Sequence, residues 1–222
     1  MTKYWKIVAW PDPAKKELNL DGASLKTYHD EMRKACEKSG AGAKKGWDFI
    51  ADYKSLDDLI ARVNAKVGAG DRLRVLELFD HGTPEACNGL DTGNLSTYAP
   101  KFKKFKWNDI SDFYISGCNT GLPQAKSSSS LQDRNPIAKQ LRYAMAFNDT
   151  VPSSDPEWFP FRITFYGAKG YTYGTHMLDE SGVRTLKAEK SYTDPDGHDH
   201  GAYEDAEKAT GDDCWNKFWN WQ

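Results

Sequence analysis

The feature that most constrains this chain is an alternation: short runs of apolar, β-branched and aromatic residues are each followed by a stretch with helical spacing. Residues 4–10 (YWKIVAW) end at a proline and read as a first strand. Residues 24–37 (SLKTYHDEMRKACE) set Leu25, Tyr28, Met32 and Cys36 three and four apart, a helical face closed by Gly40 and Gly42. A second strand follows at 47–53 (WDFIADY). Ser55 and Asp58 then form an S-x-x-D cap for a helix carrying Leu56, Leu59, Ile60, Val63 and Val67 on one face and stopping at Gly68. Residues 72–79 (RLRVLELF) are a third strand and 112–115 (DFYI) a fourth. Pro136 opens the helix PIAKQLRYAMAF, residues 161–166 (FRITFY) form another strand, and residues 171–177 continue as its hairpin partner. The last nine residues, CWNKFWNWQ, space Trp215, Phe218 and Trp219 as a docked terminal helix. Strands separated by helices demand a mostly parallel sheet covered by those helices, because parallel neighbours need crossover connections.

At 222 residues the chain fits a single domain, 1–222, with 178–222 an acidic and aromatic C-terminal extension packed on it. Lys plus Arg number 30 against 32 Asp plus Glu, a net charge of −2, so no global positive field exists to hold a nucleic acid. The basic-aromatic run KFKKFKW (101–107) reads as an amphipathic surface helix or turn rather than a single-strand platform. With 39% hydrophobic residues a core is affordable, and no apolar run nears the roughly 20 residues that cross a bilayer. Pro11 and Pro13 interrupt the N-terminus before a signal-peptide core develops. Four dispersed cysteines, Cys36, Cys87, Cys118 and Cys214, contain no CxxC pair, which suits a reduced, cytoplasmic setting; secretion without a cleaved signal stays open. Nothing in the residues bears on oligomeric state.

Parallel sheets bind ligands beyond the carboxyl ends of their strands, so the residues that directly follow an apolar strand are where chemistry is sought. The third strand runs into Asp80, His81 and Gly82, and the fourth into Ser116, Gly117 and Cys118. A thiol attacks a carbonyl as its thiolate, and a nearby imidazole is the usual means of raising its reactivity. Adjacent parallel strands lie about 4.8 Å apart, which brings both side chains to one rim. Gly82 and Gly117 let the backbone approach a ligand, and the amides of Gly82 and Cys118 are candidates for an oxyanion hole. Taken singly, a cysteine at a strand end is a packed small hydrophobe and a His-Gly pair is loop punctuation; it is their order and setting together that points to a dyad.

The segments LRVLELFDHG and DFYISGCNTG resemble the caspase-like cysteine peptidases, the group containing caspases, legumain, separase, clostripain, gingipains and the CHAT-type proteases. Asp80-His81-Gly82 is most similar to legumain, and Cys118-Asn119-Thr120-Gly121 to CHAT-type members; Gly117 stands where caspases have Ala. The resemblance spans roughly residues 3–170. It implies a three-layer sandwich, a mostly parallel central sheet with helices on both faces, and a cysteine endopeptidase acting on polypeptides through an acyl-enzyme. Carried onto this chain, Cys118 is the nucleophile, His81 the general acid and the Gly82 amide part of the oxyanion hole. The same resemblance implies substrate binding around Asp80, Gly117, Tyr166 and Gly167, beside the segment GAKGYTYGTHM. The alternatives are a catalytically silent caspase-like scaffold that recruits a partner, or a flavodoxin-like small-molecule binder. The latter is disfavoured because Pro11 and Pro13 stand where a Gly-rich phosphate turn would follow the first strand.

No cofactor is required by this reading. Asp194, Asp196 and Asp199 partly supply the alternating oxygens of a Ca²⁺ loop but lack the bidentate Glu of a full one, and the competing reading is a solvated acidic turn. Zinc on His198, His200 and Cys214 lacks a fourth ligand. Cys36, Cys87 and Cys214 read as structural. The run Ser127 to Ser130 is expected to be a loop that orders on substrate binding.

Overall fold

The computed structural model describes residues 1–12, 47–117, 120–121, 135–146, 162–168, 171–172, 186–187, 192–193, 199–200 and 215–218. Six strands form the central sheet: β1 (Tyr4–Pro11), β2 (Trp47–Tyr53), β3 (Arg72–Phe79), β4 (Trp107–Ser116), β5 (Arg162–Ala168) and β6 (Trp215–Phe218). Their order is β6-β5-β4-β3-β1-β2. Every pairing among β1 to β5 is parallel; β6 alone runs antiparallel, along the edge of β5. Three helices, α1 (Leu56–Lys66), α2 (Leu95–Lys103) and α3 (Ile137–Ala146), complete an α/β fold.

Local chemistry explains the boundaries. Ser55 Oγ accepts the Asp58 amide at 3.1 Å while Asp58 Oδ2 accepts the Lys54 amide at 2.9 Å, so both members of the S-x-x-D signature satisfy orphan donors at the start of α1. Pro136 stands before α3 because it has no N–H to lose there, and its carbonyl accepts the amides of Lys139 and Gln140 at 2.9 and 3.0 Å.

Side chains alternate across the strands, and the two faces bury different chemistry. One face sends Ile7, Ala9, Leu76, Leu78, Phe113, Ile115, Ile163 and Phe165 into a single apolar cluster with all three helices: Leu59 and Val63 of α1, Ala99 and Phe102 of α2, Leu141 and Met145 of α3. Its centre is aromatic. Phe113 packs edge-on against Phe102 at 5.5 Å and stacks with Phe165 at 5.6 Å, and Trp107 donates its indole N–H to the Phe102 carbonyl at 2.9 Å. The opposite face buries a second cluster of Val75, Tyr114, Tyr166, Ala168 and Trp215. The three described helices all cover the first face. The helix read over 24–37 lies outside the described residues, as does the Ser127–Ser130 run.

Three details differ from the sequence reading. β4 begins at Trp107 rather than 112, because Trp107 pairs with Leu73 and Asp112 with Val75, so residues 108–111 are an irregularity on the β3 side, while Ile110 and Ser111 pair in register with β5. The strand at Tyr171–Thr172 pairs with Leu186–Lys187 and not with β5. The C-terminal aromatics belong to a strand and not to a helix: Trp215 joins the second-face cluster whereas Phe218 packs against the first, the opposite orientations that pleating imposes on residues three apart. In KFKKFKW, as the amphipathic pattern implies, Phe102 and Phe105 are buried, at the end of α2 and in the turn after it. Among the described residues no helix is long and apolar enough to cross a membrane.

Phe113→Ala removes the ring shared by this aromatic cluster and is expected to cost about 3–5 kcal/mol. Urea unfolding checks it through a lowered midpoint at unchanged slope.

Candidate functional site at the carboxyl rim of the sheet

β3 and β4 are neighbours in step, with Phe79 opposite Ser116, so the residues that follow each strand emerge together. Side chains are absent at the junction itself, and this sets its geometry. A Cβ on Gly82 would lie 2.7 Å from the Gly117 Cα, and one on Gly117 would lie 2.7 Å from both the Gly82 Cα and the Cys87 Sγ. The two strand ends therefore touch through bare backbone.

A second clasp ties the residues beyond β4 to β5. The Thr120 hydroxyl donates at 2.6–2.9 Å to the carbonyls of Ile115 and Gly117 and lies 3.0 Å from the Ala168 amide, whose hydrogen it accepts. The Gly121 amide donates to the Ala168 carbonyl at 2.9 Å. Gly121 and Gly167 are as closely apposed as Gly82 and Gly117, a Cβ on Gly121 falling 2.3 Å from the Gly167 carbonyl oxygen. Gly117 and Thr120 are thereby fixed on either side of Cys118 and Asn119, which themselves lie outside the described residues.

A short hairpin closes the site from a third side. Ala86–Cys87 pairs with Leu90–Asp91 through Asn88 (φ +62°) and Gly89 (φ +76°), the two left-handed residues of a two-residue loop. This hairpin drives the buried Cys87 thiol against Gly117. Asn88 is also buried: its Nδ2 donates to Cys87 Sγ at 3.2 Å and its Oδ1 accepts from the Tyr53 hydroxyl. Burial, with Asp80 and Cys87 nearby, holds the Tyr53 hydroxyl well above its ordinary titration range.

Within this frame His81 is half-buried, and desolvation pushes its imidazole below the usual histidine value, favouring the neutral ring. Among the described residues nothing bonds to either ring nitrogen. Its backbone N–H donates to Asp80 Oδ1 at 2.7 Å. Burial raises the Asp80 carboxyl to about 7, against the smaller lowering effect of that hydrogen bond. On the second face, just below the rim, Ser116 donates to the fully buried Glu77 at 2.5 Å. Tyr114 and Tyr166 stack at 4.2 Å, and the Tyr166 hydroxyl, pushed up to about 12 mainly by burial, donates to Asp112 at 3.3 Å.

Of the residues singled out in the sequence, Asp80, His81, Gly82 and Gly117 converge at the rim. Gly167 joins them through the Thr120 clasp. Tyr166 does not: it pairs with Tyr114, two residues before Ser116, and lines the buried second face below the rim. Asp194, Asp196, His198 and Cys214 lie outside the described residues. Asp199 and His200 pair with Thr193 and Tyr192 in a two-residue ladder. Among the described residues no cluster of three metal-ligating side chains occurs. The sequence reading missed the hairpin and the Cys87–Asn88–Tyr53 chain, although the Asn-Gly pair was a readable signal. Comparison with protein-family models, curated proteins and solved structures returns no match.

Two outcomes follow from this geometry. Gly117→Ala places a methyl against backbone and a thiol with no room to move, so it should destabilise by about 1–3 kcal/mol, read by chemical denaturation. Asp80 carries a raised carboxyl, so the folded state holds a proton that the unfolded state releases between about pH 4 and 7, and stability falls as pH rises through that window. Asp80→Asn should remove this slope and be more stable than the parent at pH 8 by up to about 3 kcal/mol, with a smaller gain at pH 4. Thermal unfolding of both proteins across pH checks it.

Proposed function

We propose that the chain is a cysteine endopeptidase of caspase-like architecture, with Cys118 and His81 as its dyad. The observation that carries this reading is the backbone contact between Gly82 and Gly117. Consecutive Cα atoms are about 3.8 Å apart, and the contact holds the two glycine Cα atoms within about 4.2 Å. His81 precedes Gly82 and Cys118 follows Gly117 in the chain, so the glycine contact joins the chain neighbours of the two proposed dyad residues. The neutral, half-buried imidazole with no described bonding partner suits a group that must accept and return a proton.

In the proposed cycle the Cys118 sulfur, as thiolate, attacks the carbonyl carbon, and the negative charge moves to the oxygen, which the Gly82 amide stabilises. His81, carrying the proton from the thiol, delivers it to the departing amine as the C–N bond breaks. A thioester remains. Water, deprotonated by His81, attacks that thioester, releasing the acid product and restoring the thiol. Two further features support the caspase-like form: the mostly parallel sheet, and the meeting of the third and fourth strand ends at one rim, as the resemblance implies. Polypeptide is the proposed substrate, with Gly117 and Gly167 near enough to the junction to shape its binding, and a cytoplasmic setting is part of the same proposal.

Cys118→Ala and His81→Ala should each reduce cleavage of a mixed peptide library by about 10³-fold or more while leaving urea unfolding near parental values. Cleavage by Cys118→Ala at the parental rate would remove the dyad.

A further inference from the structure

The mechanism above gives one partly buried acid no step. Asp80 directly follows β3, partly buried, with its Oδ1 2.7 Å from the His81 amide. An asparagine would accept the same N–H without the penalty of burying an ionisable group, so the hydrogen bond alone does not account for an acid here. A carboxylate has a use where positive charge appears. Because Oδ1 is held on the His81 main chain, it stays within about 7 Å of the imidazole in any rotamer of the ring. Among the described residues, Tyr53 from β2 lies close enough to feel the Asp80 charge, Cys87 from the hairpin acts on that same Tyr53 hydroxyl, and His81 follows in its own loop. Tyr53 and Cys87 are neutral or negative, so among these described neighbours the group that can become a cation is the His81 imidazole.

From this arrangement we infer that Asp80 is the positioning residue of the site: it pins the His81 backbone and holds, by charge, the imidazolium that forms each time the ring takes up a proton. The inference rests on the dyad reading for its catalytic meaning, although the charge pairing is a property of the protein at rest. Before the ring is protonated the carboxyl titrates near neutrality. Gain of a proton by the ring draws the carboxyl toward its ionised form, so the two groups titrate as a coupled pair. At a separation of about 7 Å in a partly buried site, the coupling is worth about one pH unit or more in the ring's midpoint.

The experiment follows the His81 ring by NMR in the full-length protein carrying isotope-labelled histidine, with His81→Gln used to assign the signal. In Asp80→Asn, which keeps the acceptor and removes the charge, the His81 midpoint should fall by about one pH unit. Turnover of a fluorogenic peptide library should fall about 10-fold in kcat with KM little changed, and Asp80→Glu should recover part of it. An unmoved His81 midpoint in Asp80→Asn overturns the inference whatever the activity. Should that variant not fold, the parent decides: two inflections in the His81 titration uphold the pairing, and a single one overturns it. If the parent cleaves no peptide, the peptidase reading falls while the titration still decides the pairing.

Discussion

Two neighbouring parallel strands of this protein run on into glycines whose backbones touch, and the organisation of the rim follows from that contact. With no side chain at Gly82 or Gly117, the chain leaving β3 and the chain leaving β4 occupy adjacent space that any Cβ would close. A tight hairpin then seats a thiol against Gly117, and the Thr120 hydroxyl fastens the next residues to the end of β5. The second apposition, of Gly121 on Gly167, repeats the device one strand further along. Each pair sacrifices side-chain packing for close approach of main chain, the condition under which amide N–H groups can be aimed at a ligand.

Stability and chemistry are divided between regions of the sheet. The helix-covered face is apolar and aromatic and supplies the favourable burial. The rim and the upper part of the other face hold ionisable groups partly or wholly away from water, Asp80 in part and Glu77 fully, with Tyr53, Tyr114 and Tyr166 all displaced upward by burial. Such groups lower stability unless fully compensated. Their concentration around the strand ends is what a functional site built on a well-packed platform looks like.

Most of the architecture was legible in the sequence because it rests on local signals. Strand runs of β-branched and aromatic residues, the Ser55–Asp58 cap and Pro136 each act within a few residues, and β3, α1 and α3 formed where those signals stood. What was not legible depended on partners far along the chain. Trp215 and Phe218 satisfy helical spacing on paper, yet pairing with β5 makes them a strand whose aromatics serve opposite faces. The meeting of Asp80, His81, Gly82 and Gly117 was readable from strand order, whereas the depth of Tyr166 below the rim was not, because it depends on the register of β5 against β4. Thr120 gave no signal at all: a threonine in a loop becomes a clasp only once Ile115, Gly117 and Ala168 surround it.

The central claim is that one thiol among four is activated by an imidazole across the glycine junction. Alkylation by a small electrophile, followed residue by residue with peptide mass mapping, tests it most directly because it requires no knowledge of the substrate. The account predicts that Cys118 reacts faster than Cys36, Cys87 and Cys214 at pH 7, and that His81→Ala removes the difference. Equal reactivity at Cys118 with and without the imidazole, or rates ordered by exposure alone, would contradict it.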